Sequence, residues 1–151
     1  MVLSIAFIEI YSLFLNICIV NMDDSKAELS RRIEGLIATI NDDPNVRHRQ
    51  YTPSVDKLVA IGDAAIAPAL DLMLKDDQNT RLRAVTVIRD IMELKYGFVP
   101  GKGWVRGEDE KRFKKFWSSL GNLDWDSSEM ERKKSVQLWK SWLGRREKGR
   151  E

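Results

Sequence analysis

Cysteine and histidine are nearly absent from this chain of 151 residues, which contains one of each, Cys18 and His48. A single cysteine excludes an internal disulfide framework and a multi-thiolate metal site, and a single histidine excludes histidine-rich zinc and iron sites within one chain. His48 lies between Arg47 and Arg49 in a polar run, so we expect a solvent-exposed loop residue. A Ser-His-Asp or Cys-His arrangement would have to use these two residues, and their surroundings do not support it. We therefore expect no catalytic residues, no metal site and no cofactor.

A large excess of one charge is also missing, because 25 Lys and Arg residues are balanced by 23 Asp and Glu residues. The distribution is nevertheless uneven: residues 1–101 contain 11 basic and 14 acidic side chains, whereas residues 102–151 contain 14 basic and 9 acidic ones. The length suits one domain with its own core. The basic C-terminal third could attract an acidic partner, although a solvated helix surface rich in lysine and glutamate is the favoured interpretation.

One long apolar run is present, from residue 2 to residue 20, with a few polar residues inside it. As a helix it would measure about 28 Å, close to the thickness of a bilayer core. It is a poor signal peptide, because no basic residue precedes it and no small-residue cleavage site follows. Three interpretations stay open for residues 1–21: a membrane anchor or uncleaved signal, a packed helix, or an extension upstream of a translation start at Met22. We expect a cytoplasmic protein if translation starts at Met22 and a membrane-anchored protein otherwise, with membrane contact only through residues 2–20.

Helix start and stop signals organise the middle of the chain. Thr52 suits an N-cap before Pro53 at the first helical position, and Gly62 suits the left-handed residue just past the helix end. Asp63 can then cap a new helix, which carries apolar residues at helical spacing. A polar turn follows, and the next predicted helix runs from Arg81 to Met92. The apolar residues of these two helices are Ile66, Leu70, Met73 and Leu74, and then Ala84, Val87, Ile88 and Ile91.

A weaker copy of this pattern lies upstream, at an offset of 34 residues that is typical of helix-pair repeats. The register then slips, and an insertion of about five residues around His48 to Thr52 would explain the change. The matched positions are Leu36, Ile40, Asp43, Asn45 and Arg47, which precede Leu70, Leu74, Asp77, Asn79 and Arg81.

These residues resemble the pattern of the HEAT-like repeat family, including its short bacterial form. The family pattern has a glycine, an alanine-rich first helix, an acidic turn, and an Arg-x-x-Ala step into an aliphatic second helix. The resemblance implies an all-α, armadillo-like solenoid of about two helix-pair repeats over residues 22–96, acting as a protein-binding scaffold. It also implies that the repeated arginines brace neighbouring turns, although a guanidinium could bind phosphate or carboxylate instead. The acidic pairs recur 34 residues apart, which favours a turn and helix-capping role over a catalytic dyad. The structural repeat positions are Gly62, Asp77, Arg81, Ala84 and Arg47.

The C-terminal third carries two further helical patterns rich in aromatic residues. Residues 97–107 contain too many glycines for a regular element, so we expect a loop or a pair of turns there. Residues 108–151 should form a helical cap over one end of the repeats, with a helix over residues 108–120 and another running to about Leu143. Ser128 and Glu131 have the spacing of a capping box, and the charged tail should fray. We expect Trp117, Trp139 and Trp142 to lie in the core. The apolar faces of the two helices consist of Phe113, Phe116, Trp117 and Leu120, and of Val136, Trp139, Trp142 and Leu143.

Two groups of charged residues are candidates for interaction. The second helices of a repeat stack form a concave wall, and their polar positions should give it mixed charge, which suits a protein or peptide better than a polyphosphate. We therefore expect a non-enzymatic interaction or assembly module with a protein or peptide partner. Nucleic-acid binding through the basic C-terminal third is the alternative. The candidates are Arg83, Arg89, Asp90 and Glu93 on the wall, and Lys114 and Lys115 on the basic third.

Overall fold

The computed structural model describes residues 24–149, and the chain divides into two compact units, residues 1–35 and 36–151. Residues 24–38 are helical and are called α1. Within the first unit, the Ser30 hydroxyl donates a hydrogen bond to the Glu34 carboxylate at 3.3 Å, one helical turn away. The predictions for Cys18, for Met22 and for the apolar run concern residues outside the described range.

Helices dominate the described part of the chain, which confirms the all-α prediction at the level of fold class. Two short strands between α4 and α5 are the exception. None of the helices within residues 24–149 is both long and apolar enough to cross a membrane. After α1, the elements are α2 (Pro53–Ile61), a 3-10 turn (Asp63–Ala65), α3 (Ile66–Leu72), α4 (Gln78–Tyr96), β1 (Phe98–Val99), β2 (Gly103–Trp104), α5 (Gly107–Ser119) and α6 (Glu129–Lys148).

Local signals determine where α2 begins and ends, as predicted. The Thr52 hydroxyl accepts a hydrogen bond from the Val55 amide at 3.2 Å, and Pro53 occupies the first helical position. Gly62 follows the last helical residue with φ 81° and ψ −139°. The positive φ confirms the prediction, but the ψ lies outside the left-handed helical region that we expected. This combination of angles is open to glycine and strained for residues that carry a Cβ.

Asp63 does not cap the next helix, contrary to the prediction. Gly62 is the N-cap of the 3-10 turn, no side chain caps that turn, and Asp63 is the first residue inside it. Its carboxylate forms ion pairs with two other helices, with the Lys95 ammonium of α4 at 2.5 Å and with the Arg146 guanidinium of α6 at 3.4 Å. Asp63 therefore connects helices that are distant in the sequence.

The turn before α4 behaves as the acidic-turn interpretation predicted. The Asp77 carboxylate accepts hydrogen bonds from the Thr80 amide at 2.7 Å and from the Thr80 hydroxyl at 2.6 Å. These bonds favour the ionised form and lower the pKa of Asp77. The helix is longer than predicted at both ends, because it starts right after this cap and continues to Tyr96. It stops at Gly97, whose φ of 99° and ψ of 17° form a left-handed C-cap.

The two repeated arginines have different environments. Arg81 is 8% exposed and braces neighbouring segments as predicted, because its guanidinium donates to the backbone carbonyls of Lys75, Asp76 and Trp125 at 2.6–2.9 Å. Arg47 is exposed in the loop between α1 and α2, rather than at the start of a helix, and its side chain has no partner among residues 24–149. The upstream turn lacks the Asp77-type cap, since α2 begins later, at Pro53. The bracing role is thus confirmed for Arg81 and wrong for Arg47.

The glycine-rich segment after α4 contains two short strands, so the prediction that residues 97–107 hold no regular element was wrong. Phe98 pairs with Trp104, and Val99 pairs with Gly103, in an antiparallel hairpin. Gly101 and Gly103 both have a φ of 78°, which allows the chain to reverse within three residues. The Lys102 amide closes the turn by donating to the Val99 carbonyl at 3.0 Å.

The C-terminal helices pack through their aromatic side chains, as predicted, although Trp142 is half-buried rather than part of the fully buried core. Trp139 is fully buried, with ring-to-ring distances of 5.4 Å to Trp117, 5.5 Å to Phe116 and 5.6 Å to Trp142. Ser128 and Glu131 form the predicted capping box at the start of α6. The helix does not end at Leu143 but runs to Lys148, so residues 144–148 are helical rather than frayed. Its last turn is basic, which stabilises a helix C-terminus.

Candidate acidic cleft

A cleft of about 370 Å³ lies beside the C-terminal half of α4. Asp90 and Glu93, two of the six predicted interaction residues, lie in its wall. The remaining lining is mainly apolar and comes from α2, from the loop before it, from α4 and from the hairpin. These other lining residues are Tyr51, Val59, Leu94, Phe98, Pro100 and Gly101.

Partial burial dominates the electrostatics of Asp90. Desolvation raises the pKa of its carboxyl group, and the negative charge of nearby Asp56 raises it further. A hydrogen-bonding interaction with the Tyr51 hydroxyl and the positive charge of Arg89 oppose these effects. Because the pKa is raised overall, the protein stabilises the ionised form of Asp90 less well than water does.

The pKa of Glu93, one helical turn after Asp90, is raised in the same way. Burial and the negative charge of Asp90 raise the pKa of Glu93, and Arg89 lowers it by a smaller amount. Tyr51 lies across the cleft. Its burial, and then the negative charge of Asp90, raise its pKa to about 12. Neither Asp90 nor Glu93 forms an ion pair with any residue between 24 and 149. The cleft therefore contains negative charge that the described residues do not neutralise.

The two predicted arginines of α4 are not part of this cleft. Arg83 is 5% exposed, and its guanidinium donates a hydrogen bond to the side-chain oxygen of Asn41. It is therefore not available on the surface, contrary to the expectation that it lies on an open wall. Arg89 is half-buried, with its guanidinium carbon 5.6 Å from the centre of the Trp117 ring, a cation–π contact.

The predicted basic residues of α5 lie on a solvated helix surface. Lys114 pairs with Glu110 at 2.7 Å, and its side chain is 71% exposed. Lys115 is exposed and forms no ion pair with residues 24–149. Two further lysines have acidic partners within one helical turn, Lys111 with Glu108 and Lys133 with Glu129. Part of the basic surplus is thus balanced locally by neighbouring carboxylates.

Sequence reasoning missed the aromatic lining residues Tyr51 and Phe98, and also Asp56, which is outside the lining but acts on Asp90 through its charge. Tyr51 lies in the segment that interrupts the repeat register, Phe98 lies in the strand that was expected to be a loop, and Asp56 lies on the exposed face of α2. No local motif links any of them to Asp90. Their proximity arises because α2 packs on α4 and because the hairpin follows α4 directly.

The chemistry that this arrangement offers is recognition of a cation. Two partly buried carboxylates beside aromatic rings can accept charge-assisted hydrogen bonds from an ammonium or guanidinium group. The described lining contains no serine, cysteine, histidine or lysine side chain that could act as a nucleophile next to them. Across residues 24–149 no cluster of three His, Cys, Asp or Glu side chains is arranged to hold a metal ion.

Comparison of the chain with protein-family models, with curated proteins and with solved structures found no match.

Proposed function

We propose that this chain is a non-enzymatic protein-interaction module, built on HEAT-like helix pairs, that recognises its partner through the acidic cleft. The partner is a protein or peptide that presents positive charge. The proposal combines the predicted repeat architecture with the surroundings of Asp90 and Glu93.

The α3–α4 pair supports the repeat part of the proposal. These two helices pack against each other across a short acidic turn, Asp77 caps the second helix, and Arg81 braces the turn. Those are the features that the family resemblance implies. In this proposal the chain contains about two such repeats, and α5 and α6 close one end.

The observation that carries the functional part is the presence of two partly buried carboxylates without a counter-ion among the described residues. Burying an ionised group costs free energy unless a partner compensates it. Binding sites are where such imbalances concentrate, because the missing compensation can come from the ligand. Leu94 in the wall of this cleft is 43% exposed, so a partner could also cover apolar surface there.

The local ion pairs of Lys111, Lys114 and Lys133 weigh against the nucleic-acid alternative. A lysine already paired with a carboxylate contributes less to phosphate binding, since that pair must first be exchanged.

An affinity-capture experiment with the full chain tests the proposal. The cleft variant is Asp90→Asn with Glu93→Gln, which removes two charges with little change of shape. The control variant is Glu108→Gln with Glu110→Gln, which removes two exposed charges from α5. We expect wild type and control to capture the same protein from a native extract, and the cleft variant to lose it. The purified partner should then bind with the same dependence on the cleft.

Equal capture by the cleft variant would overturn the proposal. Recovery of nucleic acid in place of protein would also overturn it. Thermal melting of all three chains shows whether a loss of binding reflects a loss of folding.

A further inference from the structure

We infer that the cleft binds a single arginine side chain presented by an extended segment of the partner. This inference rests on the proposed function and specifies the ligand chemistry of the same site. It follows from the size of the cleft, from the arrangement of its charges and from the composition of its walls.

The size of the cleft favours one side chain with its flanking backbone. A volume of about 370 Å³ lies at the lower end of the range for small-molecule sites. The cleft lies between α4 and the two-stranded hairpin, and its lining combines the two carboxylates of α4 with Phe98 and Pro100 of the hairpin.

The charge of the site requires a cation. Asp56, Asp90 and Glu93 contribute negative charge, and Arg89 is the basic residue that acts on both carboxylates of the cleft. Arg89 is itself engaged with the Trp117 ring and forms no ion pair with residues 24–149. The three carboxylates and the one guanidinium sum to −2, so a ligand with one positive charge would halve the uncompensated negative charge.

The walls favour a guanidinium over an ammonium group. A guanidinium is planar and weakly hydrated, and it can donate to two carboxylates at once while its flat faces lie against aromatic rings. Asp90 and Glu93 lie three residues apart, on one side of a helix, and provide two acceptors for such a fork. Tyr51 and Phe98 supply the aromatic surface. An ammonium group is more strongly hydrated and loses more on entering this partly buried site.

Three synthetic peptides test the inference on the full chain. Each peptide is nine residues long and has blocked termini. Its central residue is arginine, lysine or citrulline, and the flanking residues are glycine and serine. Binding is followed by the shifts of the Leu94 and Gly101 amide signals in nuclear magnetic resonance spectra. We expect saturable shifts with the arginine peptide, affinity weaker by about fivefold or more with lysine, and no saturation with citrulline, which has the shape of arginine without its charge.

Single substitutions locate the ligand in the cleft. Glu93→Gln and Asp90→Asn should each weaken the arginine peptide by about tenfold, because each removes a charge-assisted hydrogen bond. Asparagine at position 90 still offers Tyr51 an acceptor. Glu110→Gln, outside the cleft, should leave the affinity unchanged.

Equal affinity for arginine and lysine would overturn the inference and leave the interaction module intact. The inference would also fail if no peptide gave saturation, or if both cleft variants bound as wild type does. Self-association of the chain that disappears with Glu93→Gln would overturn it as well, by placing a cation of a second copy in the cleft. Partner capture that ignores the cleft, with peptide binding retained, would instead reject the proposed function alone.

Discussion

Charged residues of this chain differ in how fully their polar groups are paired in the folded structure. Arg81 donates to three backbone carbonyls and closes the turn before α4, so the folded structure uses its hydrogen-bonding capacity well. Glu93 and Asp90 are compensated only in part by nearby partners, and burial raises the pKa of both. This contrast separates residues that support the fold from residues that reduce its stability, and the second kind is typical of sites that bind something else.

Glu93→Gln should therefore raise the thermal stability of the free protein at neutral pH. A raised pKa in the folded state means that ionised Glu93 destabilises the fold at every pH above that pKa. The destabilisation declines as the pH falls through the raised pKa and disappears once free glutamate is also protonated, below about pH 4. We expect the melting temperature to rise by roughly 1–3 °C at pH 7 and to be unchanged at pH 3.5. Glu108→Gln, which removes an exposed glutamate, is the control, and a lower melting temperature for Glu93→Gln would contradict the argument.

The substitution Gly62→Val tests how backbone conformation, rather than packing, affects stability. A Cβ at this position would meet no atom within 4 Å, so the cost of Gly62→Val comes from the φ of 81°. We expect a loss of about 1–2 kcal/mol in the free energy of unfolding, measured by urea denaturation. Gly35→Ala is the matched control, because that position also has open space but lies in helix α1 without a positive φ. Alanine there should stabilise by about 0.5–1 kcal/mol. Equal effects at the two glycines would show that φ does not decide the outcome.

At the scale of elements, the sequence predicts well wherever the signals are local. Thr52, Pro53 and Gly62 determine both ends of α2, and Ser128 with Glu131 determines the start of α6. Prediction failed where an element depends on distant partners or is too short to show a period. The hairpin has two residues in each strand, too few for an alternating pattern. The cleft depends on Tyr51 and Asp90 approaching through the packing of α2 on α4, which periodicity does not encode.

The docking of α6 depends on Trp139, which contacts the rings of two α5 residues and is fully buried. Trp139→Ala should lower the free energy of unfolding by about 3–5 kcal/mol, since it removes the largest buried side chain between these helices. Met130→Ala on the same helix is the control, because Met130 is 78% exposed and should change stability by less than about 0.5 kcal/mol. Chemical denaturation followed by circular dichroism measures both. A small effect of Trp139→Ala would mean that α6 packs mainly through other contacts.

At the scale of the whole molecule, the uneven charge distribution raises the question of nucleic-acid binding. The surplus of basic residues lies in residues 102–151, but several of its lysines are paired with carboxylates one turn away. The acidic cleft belongs to α4 and its neighbours, where a polyphosphate would be repelled. The proposed function therefore expects a basic protein partner at the cleft, and only weak binding of anions at the C-terminal helices.

Salt dependence distinguishes these two kinds of binding. If nucleic acid were the physiological ligand, affinity would come largely from phosphate neutralisation, and about four to six phosphate contacts would weaken binding by a hundredfold or more between 50 and 200 mM salt. We expect DNA and RNA to bind weakly at low salt and not measurably at 150 mM, as judged by fluorescence anisotropy with labelled oligonucleotides. Lys114→Glu with Lys115→Glu should remove the weak binding, whereas Glu93→Gln should not reduce it. A sub-micromolar affinity that survives 150 mM salt and is abolished by the lysine reversal would overturn the protein-interaction proposal, because the C-terminal basic helices would then be the principal binding surface.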